Sequence, residues 1–137
     1  MIRRRLMIEI VERMIRRPKD GLDRLWSELA SSLGIPDEEL AWRAPDIYAT
    51  PPPREPRRAE EVILDLISAI HDDDWPTFAP EFVEHQLVHV LGLRPARARL
   101  LLLSAASLAV SKGQRWLADV ILAYTSGGRR RFHGRKS

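Results

Sequence analysis

The sequence predicts an all-α protein, a compact bundle of five to six helices with a Pro-rich connection after an N-terminal helical hairpin. Three observations carry that reading. Apolar residues recur at helical spacing in segment after segment. No segment alternates apolar and polar residues as a half-buried strand does, and Pro and Gly stand between the helical stretches rather than inside them.

The first predicted helix covers residues 2–17. Met7, Ile8, Ile10, Val11, Met14 and Ile15 share one face, with Arg5–Glu9, Glu9–Arg13 and Glu12–Arg16 as i,i+4 pairs, and Pro18 stops it. The second runs over 21–33 from an Asp20 N-cap, with Leu22, Leu25, Trp26, Leu29 and Leu33 on one side and Gly34 as its C-terminal stop. A short helix opens at Pro36 with acids in its first turn. Pro45, Pro51, Pro52, Pro53 and Pro56 then make residues 45–58 an extended connection. Beyond it the periodicity predicts helices over 59–71, 80–91 and 95–111, and a last one carrying Trp116, Leu117, Val120, Ile121 and Tyr124. The 95–111 helix is apolar around nearly its whole circumference, which places it at the centre of the bundle. One helical domain, residues 1–126, is expected, divided into hairpin and corner (1–44), connection (45–58) and main bundle (59–126), with a basic tail over 127–137.

A chain of 137 residues buries a core without staples, and four Trp and three Phe supply anchors for it. The absence of cysteine excludes disulfides, thiolate nucleophiles and cysteine-ligated zinc. Glu9, Glu12 and Arg13 interrupt what would be the apolar part of a secretory signal. The longest uncharged apolar run, Leu100 to Ser111, is far below the roughly 20 residues a bilayer crossing needs. A cytoplasmic protein with no membrane partner is expected.

Charge is segregated. The net charge is +3, yet residues 59–91 hold eight acids and no Lys or Arg, while residues 92–137 hold ten Lys or Arg and one acid. Residues 1–19 are also strongly basic. Such blocks either create local fields for a partner or face each other within one fold.

Several motifs invite chemistry. Trp26 to Leu40 resembles a helix-turn-helix unit, with Leu29, Ala30, Leu33, Gly34, Ile35 and Leu40 at the positions that seal the corner. Its second helix begins Pro36-Asp37-Glu38-Glu39, has Arg43 where an apolar residue belongs and ends at Pro45, so it would present acids to phosphates. His85-Gln86-Leu87-Val88-His89 resembles the zinc helix of metzincin proteases, but Gln86 replaces the general base and Pro95 the third histidine. His71-Asp72 is similar to the His-Asp pair of helical phosphohydrolases, without the upstream histidine that family uses. Pro53 to Arg58 fits a PxxPxR ligand for SH3-type grooves and reads more simply as spacer. No phosphate loop or nucleophile elbow occurs. No catalytic residue, metal site or cofactor is predicted, and the protein is read as a non-enzyme.

What remains is arginine. Arg3, Arg4, Arg5, Arg16 and Arg17 flank the first helix, and Arg94, Arg97 and Arg99 open the 95–111 helix. Arg129, Arg130, Arg131, Arg135 and Lys136 make the tail, with Phe132 and His133 interleaved. These clusters suit backbone-directed contact with RNA or DNA. The expected function is a non-catalytic nucleic-acid-associated subunit of a larger complex, partnered by nucleic acid and by other subunits or copies of itself. At the level of architecture it is similar to the small helical subunits that line the nucleic acid in RNA-guided CRISPR effector complexes, by analogy of shape and charge. Two alternatives stand beside this: a protein-interaction adaptor that docks through its acidic block and Pro-rich connection, and a helix-turn-helix regulator.

Overall fold

The computed structural model describes residues 22–36, 38–39 and 57–127. The predicted helix 2–17, the Pro-rich stretch 45–56 and the basic tail from residue 128 lie outside the described residues, as does most of the short helix opened at Pro36. Among the described residues there are five α-helices and no strand, packed on one apolar core. None of these helices is long and apolar enough to cross a membrane.

Helix α1 spans Leu22–Ser32. Its apolar stripe buries Trp26, Leu29 and Ala30 completely. Gly34 then adopts φ 77, a left-handed conformation that a residue with Cβ rarely takes, and Ile35 N–H donates to the Ala30 carbonyl at 3.0 Å. The corner expected after this helix therefore forms as far as Ile35.

Helix α2, Ala59–Ile70, packs against α1 and against the three helices that follow. Val62, Ile63, Leu64, Leu66, Ile67 and Ile70 are all buried. Helix α3, Phe78–His89, starts two residues before the expected Pro80. The first turn of a helix leaves its N–H groups without intrahelical acceptors, so proline at the third position forfeits no bond. The earlier start lets Phe78 join the aromatic core. Phe78 stacks on Phe82 at 5.7 Å between centroids, and Phe82 meets Trp26 of α1 edge-on at 6.0 Å.

Helix α4 spans Pro95–Ser111 with Pro95 in its first turn, as the sequence predicts. Gly113, at φ 78, reverses the chain into α5, Arg115–Leu122, and a π-helical turn, Ala123–Gly127, closes the described chain.

One expectation is corrected. Helix α4 is not the centre of the bundle; α2 is. The α4 face that meets α2, α3 and α5 is built of small residues, Ala98, Ala105, Ala106 and Ala109, around Leu102. Alanines let helix backbones approach closely, so Leu102 is the one large side chain of α4 that is fully buried. The opposite face leaves Leu100 63%, Leu103 39% and Val110 53% exposed. Apolar character all round is not burial all round. The acid-rich α2 qualifies as central because Glu60, Glu61 and Asp65 leave its apolar arc unbroken.

Candidate nucleic-acid interface and the adjoining cleft

The opposed charge blocks of the sequence turn out to be joined within the fold. Arg57 reaches Glu28 of α1 through Nε at 2.9 Å and Nη2 at 3.1 Å, and its Nη1 donates to Asp65 of α2 at 2.8 Å. Glu28 is buried, and the Arg57 hydrogen bonds hold its carboxyl below the usual range against the opposing effect of burial. Ser32 Oγ also donates to the Arg57 carbonyl. Together these contacts fasten the chain entering α2 across α1. Lys112, just beyond α4, approaches Glu61 of α2 at 3.8 Å.

Arg99 is engaged in the same way. Its Nε and Nη2 donate to Glu84 of α3 at 2.7 Å and 3.2 Å, and its guanidinium lies 5.3 Å from the centre of the Tyr124 ring. The Tyr124 hydroxyl donates to the same Glu84. Burial first, and then that carboxylate, push the Tyr124 phenol far above its ordinary value. Arg99 thus ties α3, α4 and the π-helical turn together.

Arg94 and Arg97 are placed differently. Arg94 is the N-cap of α4 and Arg97 stands in its first turn. Both are exposed and neither enters an ion pair among the described residues. The first turn of α4 contains no acid, so the positive end of its dipole adds to the two exposed arginines there. The remaining predicted contact residues, Arg3, Arg4, Arg5, Arg16, Arg17, Arg129, Arg130, Arg131, Arg135 and Lys136, lie outside the described residues.

Between α3, the start of α4 and Tyr124 lies a cleft of about 720 Å³. Glu81, His85, Val88 and His89 form its α3 wall, with Pro95, Ala96 and Leu100 opposite. The His85 and His89 rings sit 4.4 Å apart, both accessible. Burial first, and then the neighbouring His89, lower the proton affinity of His85. Gln86 is buried. Among the described residues no three His, Cys, Asp or Glu side chains converge as a metal cage.

His71 does not pair with Asp72. Its Nε2 lies 3.2 Å from Asp73, its Nδ1 is buried without a hydrogen-bond partner, and its ring meets Trp116 edge-on at 5.1 Å. Asp72 instead accepts from the Asp74 backbone N–H at 2.8 Å, an Asx turn that shapes the loop between α2 and α3.

No protein-family model matches the chain, and no curated protein or solved structure matches it either.

Proposed function

We propose that the protein is a non-catalytic, nucleic-acid-associated helical subunit of a larger assembly. It contacts the phosphate backbone of RNA or DNA through Arg94 and Arg97 together with the Arg-rich segments at either end of the chain. The carrying observation is the division of labour among its cations. Arg57, Arg99 and Lys112 are held by acids of the fold, whereas Arg94 and Arg97 stand exposed and outside any ion pair at a helix N-terminus whose first turn holds no acid. Exposed guanidinium groups at a helix N-terminus suit phosphate contact that reads no base.

A protein-contact reading gains support from a separate observation. The outer face of α4 exposes Leu100, Leu103 and Val110 in one stripe, flanked by Ser104, Ser107 and Ser111. In a subunit this stripe serves as the contact with a neighbour, alongside nucleic-acid binding; in an adaptor it is the docking surface itself. Part of the acidic block is already engaged within the fold, because Glu61, Asp65 and Glu84 hold internal cations.

Fluorescence anisotropy with a mixed-sequence RNA and a mixed-sequence duplex tests the proposal. The double variant R94A/R97A is expected to weaken binding to every sequence alike and to lower the salt slope by about 1 per arginine. Unchanged affinity in that variant would remove α4 from the interface. Retained helicity would show that the loss is not one of folding.

A further inference from the structure

The geometry points to His85 and His89 as a two-imidazole binding site for a late first-row divalent cation, Zn²⁺ or Ni²⁺, on the cleft-facing side of α3. Residues four apart on a helix stand one turn above each other on the same face. Here the two rings are 4.4 Å apart between centroids and tilted by 39°. Two nitrogens sharing one tetrahedral ion at about 2.0–2.1 Å stand about 3.3 Å from each other. Rotation about the broad terminal torsions of the two histidines turns one nitrogen of each ring toward a shared ion, with the ring centres opening to about 5 Å.

The surroundings favour a cation over two protonated rings. Both side chains are accessible, and neither belongs to the core. Glu81, one turn before His85, shares the cleft wall and adds negative charge to it.

Donor chemistry sets the class of ion. Imidazole nitrogens without thiolate suit Zn²⁺, Ni²⁺ and Cu²⁺ and discriminate against Mg²⁺ and Ca²⁺, which take oxygen ligands. Two protein ligands leave the other positions to water or to a group brought by a partner, so the site is accessory and exchangeable rather than structural. It does not depend on the proposed nucleic-acid role.

Calorimetric titration of the full chain with ZnCl₂ and with NiCl₂ tests the assignment. One ion per chain is expected, with H85A and H89A each lowering affinity by about tenfold or more and the double variant binding none at the same site. His71→Ala, which alters the loop histidine beside Asp73, should leave the titration unchanged. His85 and His89 are exposed, so their replacement is safe for folding, and unchanged helicity of every metal-free variant, the half-buried His71 position included, checks it. Absence of binding to the wild-type chain, full binding by the double variant, or loss of binding in His71→Ala would each overturn the assignment.

Discussion

Glu28 shows how much of the fold rests on single side chains. Its carboxylate is buried on α1 and answered by one guanidinium, that of Arg57, which arrives from the far side of the Pro-rich stretch. Arg57→Ala should cost about 1–3 kcal/mol, measured by denaturant unfolding, because a buried acceptor loses charged hydrogen bonds. The pH dependence follows from the depressed pKa. The clamp contributes fully above the ordinary carboxyl value of 4.5 and is lost as pH falls below it through the folded value. The stability gap between wild type and Glu28→Gln should therefore narrow on acidification below 4.5. Tyr124 behaves oppositely in pH. Its raised pKa means that burying the neutral phenol stabilises the fold below 10.0 and ceases to do so as pH climbs beyond that value. In a Tyr48→Phe background, ultraviolet titration should show no ionisation of Tyr124 at its ordinary 10.0, and Glu84→Gln should bring it closer to that value. None of these partners was legible in the sequence. Charge blocks predict that acids and bases meet somewhere, but pairs separated by 29, 15 or 40 positions leave no local spacing to read.

At the scale of elements the sequence is far more informative, because helical periodicity is a local property. The 59–71 and 95–111 expectations match α2 and α4 to within a residue, and Gly34 and Gly113 break the chain where expected. What periodicity could not rank was depth. Helix α4 carries more apolar residues than it buries, and its inward side is the one made of alanine. This predicts an asymmetry between its two faces. Ala105→Leu on the inner face should cost about 1–3 kcal/mol in thermal or denaturant unfolding, as an overpacked contact with α2 and α5. Leu103→Lys on the outer face should change stability by only about 0.5 kcal/mol or less, the range of substitutions made at the surface. Equal losses at both positions would mean that the outer stripe is covered within the chain rather than presented to a partner.

For the whole molecule, the electrostatic layout decides between the readings. Segregated charge along the chain resolves partly into internal ion pairs, and Arg94 and Arg97 stand outside those pairs at the N-terminus of α4. The candidate site was legible in the sequence only as a list of arginines. Which of them are free depends on whether an acid lies across the packing interface, as Glu84 does for Arg99 and none does for Arg97 among the described residues. The central claim, that these free cations bind a phosphate backbone, is tested most directly by measuring affinity for a mixed-sequence nucleic acid as salt is raised from about 50 to 200 mM. The account predicts a straight line of log K against log salt, losing roughly 10³ or more across that range if about six phosphates are engaged. No detectable binding at the low-salt end, or an affinity indifferent to salt, would contradict it.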